Sequence, residues 1–424
     1  MISRIRLRDF KNFQDTSLTV GKFTLVVGAN ASGKSNIRDV FRFLHGIGRG
    51  YTLAEIIGGR YGAGGQAEWA QMRGAASEII RFNQRRFQID VTFTAARSSG
   101  RYHIAIERSE RDRGGFRVVE ESLSVSHEMI YTSHPGQDDP VYFQEDENHI
   151  ALRMAKMESQ KKFGHKLLAR PDQPGLSQIG DFKNAGRAHK ERAQELLDIF
   201  AGIRFLDLVP DLMRKPAFPG QAVLGDSGEN LPTVLQAICA EPATKVVLME
   251  WVRELTPMDV VDFEFPLDPI TGLVQLALRE KNGNLVSAYS ASDGTLRFLA
   301  MLASLLGKQP ARLYFFEEID NGIHPTRLRL LLELIERQTE KGTVQVVTTT
   351  HSPDLLSMVS DSTFESTSVV FRSPGSEGAV IVRVADLPQA KELRASQGLG
   401  RLHASGWMED MLVLADEPTS MAAM

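Results

Sequence analysis

Near the start, apolar and charged residues alternate. Ile5 and Leu7 fall on one side and Arg4, Arg6 and Arg8 on the other, a period of two that predicts a half-buried strand over residues 2–8. Phe23-Thr24-Leu25-Val26-Val27 lacks that alternation, and so apolar a run predicts a strand covered on both faces. A glycine-rich turn and a helix over about Lys34 to Leu44 follow. Residues 46–75, with Gly58-Gly59 and Gly64-Gly65, read as a mobile surface segment rather than core. Runs at 87–93, 102–106 and 116–125 predict an antiparallel sheet. Helical patterns take over across 150–215, and the prolines and glycines of 216–232 mark a loop. Asn282-Gly283 predicts the turn of a hairpin within 272–289.

The last third is more regular. It predicts a helix at 293–306 closed by Gly307, a strand at 312–316, a helix at 325–340 opened by Pro325 and stopped by Gly342, and a strand at 344–347. Strand, helix, strand in that order predicts a parallel sheet. The fold expected is α/β, with an N-terminal lobe and antiparallel sheet at 1–150, an inserted mainly helical subdomain at 151–260, and a C-terminal lobe at 261–424.

Composition narrows the classes. With 424 residues, two to three domains are expected. A net charge of −4 argues against a surface devoted to nucleic acid, though not against a local basic patch. The single cysteine, Cys239, excludes a disulfide framework and fits a reducing cytoplasm, where it reads as an inert buried thiol. No apolar run is long enough to span a membrane, and the first residues lack the apolar core of a signal peptide.

Gly28-Ala29-Asn30-Ala31-Ser32-Gly33-Lys34-Ser35 fits the Walker A pattern in full and lies between an apolar strand and a helix, the context that gives the pattern meaning. Gly28 and Gly33 would let the backbone curl so that successive N–H groups of the loop, including Asn30 and Ser32, face the phosphates. Lys34 would bring a point charge to the β/γ-phosphates, and Ser35 a hydroxyl for Mg²⁺. ATP and Mg²⁺ are therefore the expected ligands.

Three later segments add to this. Ser292 is a good N-cap for the helix after Ser290-Ala291-Ser292-Asp293-Gly294-Thr295, and Gly294 permits close backbone approach. Glu317-Glu318 ends the apolar run Leu313–Phe316, placing acid at the carboxyl edge of a sheet, where ligands bind in open α/β folds. His351 ends the next strand, in Thr348-Thr349-Thr350-His351.

In that order and spacing, with 22 residues from Thr295 to Glu317 and 33 from Glu318 to His351, the chain resembles the ABC-type ATPase heads of the RecF/SMC/OLD group. It looks most like the compact OLD-like ATPases of bacterial defence systems. The likeness runs over 1–45 and about 272–356, and includes Ile5–Phe13, Asn36 and Glu318–Pro325. The resemblance implies a P-loop ABC-type head with a mixed, largely parallel core sheet, which forms a homodimer around two ATP molecules. It implies that Ala291–Thr295, with Ser292 and Gly294, is a signature motif contacting the partner's ATP. Glu317 would be the Walker B acid beside Mg²⁺, Glu318 would polarise the attacking water, His351 would be the switch histidine, and Asp320 would lie in the D-loop. For the Q-loop, Gln178 is preferred over Gln144. Three residues depart from the pattern: Glu317 stands where Asp is usual, and Ala291 and Asp293 stand where transporters favour Leu and Gly.

About 255 residues separate Ser35 from the signature, more than a minimal head needs. The absence of heptads excludes an SMC-type coiled coil there. Residues 151–192 hold ten Lys or Arg against four Asp or Glu. The stretch Arg153–Arg192 reads either as a nucleic-acid contact or as a solvated face. The tail after His351 has no Asp-x-Asp pair, so a separate effector protein, a nuclease or toxin, is the expected output. The rival readings are a RecF-like DNA-repair ATPase acting on DNA itself and a non-hydrolysing ATP sensor.

Overall fold

The computed structural model describes residues 1–29, 32–95, 98–109, 115–133, 148–155, 163–255, 260–372 and 378–416. Two sheets organise them. The first is an eight-stranded antiparallel sheet in the order Phe163–Ala169, Ile150–Ala155, Glu128–Thr132, Phe116–Val125, Ser98–Arg108, Arg86–Ala95, Ile2–Phe10, Phe13–Thr19. The second is six-stranded, in the order Ile203–Leu206, Leu313–Phe316, Gln345–Thr349, Phe23–Val27, Ser368–Phe371, Val380–Arg383. Its first five strands are parallel and the last is an antiparallel edge.

The second sheet separates two hydrophobic cores, which explains its unbroken apolar strands. Val26, Phe315 and Val347 face the first core, with the Walker helix Lys34–Gly48, the helix Arg187–Ala201 and the antiparallel sheet. Leu25, Val27, Tyr314, Phe316 and Val346 face the second, with the helices Asp293–Leu306 and Pro325–Glu340 and the C-terminal helices. The expected strand–helix–strand unit is present as Leu313–Phe316, Pro325–Glu340 and Gln345–Thr349. Among the described residues no helix is long and apolar enough to cross a membrane.

Two expectations are corrected. A helical subdomain does not begin at 151. Ile150–Ala155 and Phe163–Ala169 are strands that extend the antiparallel sheet, with Arg153 opposite Lys166. Ile150, Leu152, Met154 and Leu167 enter the first core at strand spacing, so the basic residues between them are strand residues rather than one helical face. The helices that follow also share the two main cores, so 151–260 is not a unit with a core of its own. Residues 46–75 are not simply surface either. Tyr51, Leu53, Ile56, Ile57 and Met72 are buried in the first core. A capping box at Thr52 and Glu55 starts the short helix Leu53–Gly58.

His45 lies at the end of the Walker helix, stacked on Trp69, with Nδ1 at 3.0 Å from the Phe200 carbonyl oxygen, to which it donates. Burial pushes the ring down to about 4, against the donated bond, which favours the charged form. The unfolded chain, with the ordinary value of 6.5, binds the proton more readily, so stability is fully present above pH 6.5 and is lost as pH falls toward 4. The loss expected over that window is roughly 3 kcal/mol. Urea unfolding at pH 7 and pH 4.5 measures it. His45→Phe should flatten the dependence, and an unchanged slope would place the titration elsewhere.

Candidate nucleotide-binding site

The strand Phe23–Val27 delivers the chain to Gly28, whose φ of +146° and close approach to the Val370 carbonyl leave no room for a Cβ. Gly33, at φ +117°, starts the Walker helix without a side-chain cap, which leaves its first N–H groups for an anion. Asn12 holds this turn: its Nδ2 donates to Ser32 O at 3.1 Å, and its Oδ1 accepts from Asn36 Nδ2 at 2.7 Å. Ser32 Oγ is buried without a hydrogen-bond partner among the described residues, and an acceptor anion above the loop would satisfy it. Asn30 lies outside the described residues.

Lys34 is 9% exposed and folds back on the loop, donating to Gly28 O at 2.6 Å and Ala29 O at 2.8 Å. Burial lowers its ammonium to about 8, partly opposed by the charges of Glu318 and Glu409. A triphosphate at this spot would replace two neutral carbonyls with full negative charge.

A cleft of about 480 Å³ opens above the loop, lined by Gly33, Lys34, Ser35, Asn36, Glu317, Glu318 and His351, with Asn12, Arg73, Asp207, Arg297, Asn321 and Thr349. That volume suits a small-molecule site. Glu317 and Glu318 follow the strand Leu313–Phe316 at its carboxyl edge. Glu318 takes a left-handed φ of +47° and its N–H donates to Thr349 Oγ1 at 3.0 Å, a strained backbone pinned by the next strand. His351 has its pKa lowered by burial first and by the Lys34 charge second, so the ring is neutral near pH 7. The donor set, one hydroxyl and two carboxylates beside a phosphate loop, fits Mg²⁺, which prefers oxygen ligands and phosphates.

The remaining expected residues lie elsewhere. Ser292 caps its helix, accepting from Thr295 N at 3.2 Å, and is not among the residues lining this cleft. Nor is Gly294, where an added Cβ would lie 2.2 Å from Gly322 O. Asp320 accepts from Oγ1 of Thr350, one residue before His351, at 2.7 Å but is off the cleft lining. Gln178 is corrected: it is 8% exposed and its amide bonds the backbone of Arg170 and Gln173. Those bonds use up its polar atoms in a local turn, so it is a structural residue and no Q-loop. Gln144 is outside the described residues.

Four residues at or beside the site escaped the sequence reading. Arg214 Nη2 holds Asp293 Oδ1 at 2.5 Å and Ala291 O at 3.1 Å, which neutralises the acid that stands where the resemblance has glycine. Arg73 pairs with Glu317, and Asn12 clamps the loop. Asp207 follows the strand Ile203–Leu206, directly beside Leu313–Phe316, the strand that ends in Glu317-Glu318. The basic stretch disperses over two strands, a turn and a helix. Arg187 pairs with Glu191 and Arg192 with Glu195, while Lys156, Lys161 and Lys162 are outside the described residues.

A family model described as "AAA domain, putative AbiEii toxin, Type IV TA system" matches residues 23–357. No curated protein matches the chain. Similar solved structures include an SMC head bound to the C-winged helix domain of ScpA, with TM-score 0.48 and 15% identity over 90% of this chain and 97% of that one. The SMC head domain from Thermotoga maritima gives 0.43 and 12% over 90% and 98%. An Smc head with an extended coiled coil, bound to the C-terminal domain of ScpA derived from Pyrococcus furiosus, gives 0.43 and 14% over 93% and 98%.

Proposed function

The chain belongs to the AAA-domain family described as putative AbiEii toxin of a type IV TA system and is an ABC-type P-loop ATPase; from that premise we propose that it works as a homodimer closed around Mg–ATP. The observation that carries this is a division of labour. Lys34, Ser35, Glu317, Glu318 and His351 line one cleft, whereas Ser292 and Gly294 are held at a helix start that does not line it. A capped helix start with its acid neutralised by Arg214 suits the phosphates of another protomer's nucleotide.

In hydrolysis, Lys34 and the loop N–H groups would hold the β- and γ-phosphates, and Ser35 and Glu317 would hold Mg²⁺. When bound, Mg²⁺ neutralises charge developing on the phosphate oxygens. Glu318 would orient a water and accept its proton. His351, neutral and at the same edge, would donate a hydrogen bond to the γ-phosphate. The partner's signature helix would complete the shell.

The ATP state would be relayed to a separate effector, a nuclease or toxin, in antiphage defence; the family's description, which names a putative toxin of a type IV TA system, supports a toxin-linked role. Light scattering tests the dimer: mass is expected to double with Mg–ATP and stay monomeric for Lys34→Ala. An unchanged mass in Mg–ATP would remove the sandwich. ATP turnover unaffected by DNA or RNA is expected. DNA-stimulated turnover with a steep salt dependence would instead favour direct action on DNA.

A further inference from the structure

Arg73 reaches the cleft from the segment 59–75, outside every motif of the chain. Its guanidinium grips Glu317 with both arms, Nη1 to Oε1 at 2.9 Å and Nη2 to Oε2 at 2.7 Å, and Arg38 Nε stands 3.8 Å from the same carboxylate. Asp207 is its neighbour on this edge. Leu206 pairs with Phe316, and Asp207 and Glu317 each follow directly at the carboxyl ends of these parallel strands, both lining the cleft and both acting on the Arg73 charge. Two adjacent carboxylates repel unless a cation lies between or beside them, and Arg73 supplies one.

The backbone that carries Arg73 is pinned. Arg42 Nη2 donates to Ala70 O at 2.6 Å, Met72 N to Ile57 O at 3.0 Å, and Lys11 Nζ to Arg73 O at 2.7 Å. Met72 itself is buried at 1% exposure. The Arg73 side chain beyond these anchors is 47% exposed, so it can swing toward solvent while its loop stays in place.

Resting on the ATP-site reading above, we propose that Arg73 is the resident counter-ion of the Walker B edge, and that the divalent cation of ATP takes Glu317 only by displacing it. A bidentate fork covers the facing edge of the carboxylate. A metal ion on that edge would meet the guanidinium charge at a few ångströms, and like charges at that range repel. Arg73 is thus a positioning residue. It keeps Glu317 and Asp207 neutralised and sets the metal concentration at which the site loads. The glutamate at the Walker B position then has a role of its own, since its extra methylene carries the carboxylate out to the arginine.

The test is Mn²⁺ binding followed by electron paramagnetic resonance, on full-length protein saturated with a non-hydrolysable ATP analogue. Arg73→Gln is expected to tighten Mn²⁺ binding about three- to tenfold. Arg73→Lys, which keeps the charge and loses the fork, should fall between Gln and wild type. Structural damage would weaken binding, so a gain separates the two roles. Unchanged or weaker Mn²⁺ binding in Arg73→Gln overturns the inference. Glu317→Gln is the control on the reading beneath it. Weakened Mn²⁺ binding there upholds Glu317 as the metal-side acid whatever Arg73 does, whereas unchanged binding removes that role and the competition together.

Discussion

Glu318→Gln is expected to bind ATP as the wild type does and to hydrolyse it at least about a hundredfold more slowly, the usual range for loss of a general base. The two acids at this strand end are chemically alike, and their surroundings tell them apart. Glu317 is held by Arg73, with Arg38 beside it, as befits a carboxylate whose partner is always a cation. Glu318 lines the same cleft from a backbone twisted to φ +47° and fixed by Thr349, which turns it out of register with the strand and toward the phosphate end, where Lys34 feels its charge. An amide at that place keeps the size and loses the lone-pair basicity. Rapid-quench hydrolysis together with nucleotide titration reads both properties. The same protein should accumulate as the ATP-bound dimer on sizing with Mg–ATP. If Glu317→Gln keeps metal binding and abolishes only turnover, the two roles are reversed.

What could be read from the sequence follows how local each signal is. The Walker A turn, the strand Phe23–Val27, the cap at Ser292 and the pair Glu317-Glu318 each sit within a few consecutive residues, and each lies where its pattern says. Arg73, Asp207 and Asn12 reach the cleft across 244, 110 and 24 positions from Glu317, Glu317 and Asn36 respectively. No spacing rule joins such residues, because packing of the first core brings them together. Arg214 and Asp293 are likewise 79 residues apart. Gln178 shows the opposite failure: a glutamine of the right type, placed by resemblance, whose amide is spent on Arg170 and Gln173. The strands at 150–169 were masked by charge. Arg153 and Lys166 face each other across a pair, and Arg153, itself buried between Leu152 and Met154, breaks the period-two pattern that would have marked the strand.

Ser292→Arg is expected to leave ATP binding to the separate protomer intact and to abolish hydrolysis. Ser292 accepts the Thr295 N–H, and the Asp293 carboxylate is tied to Arg214, so the helix start survives loss of one cap bond at a cost of about 1 kcal/mol. What changes is the surface offered to a partner, where a long cationic side chain replaces a hydroxyl. Because this helix start does not line its own cleft, the defect should appear only in a site shared between protomers. Mixing with Lys34→Ala makes that decisive. Neither variant alone can build an intact composite site. In a mixed dimer one site combines the intact Walker loop of the Ser292→Arg chain with the intact signature of the Lys34→Ala chain, and the other site collects both defects. An equal mixture should therefore recover part of wild-type turnover, through mixed dimers closed on their one intact site. Titrating one inactive protein into the other and measuring phosphate release reads this directly. Normal turnover by Ser292→Arg alone, or no recovery in the mixture, would mean that the signature does not act across the dimer.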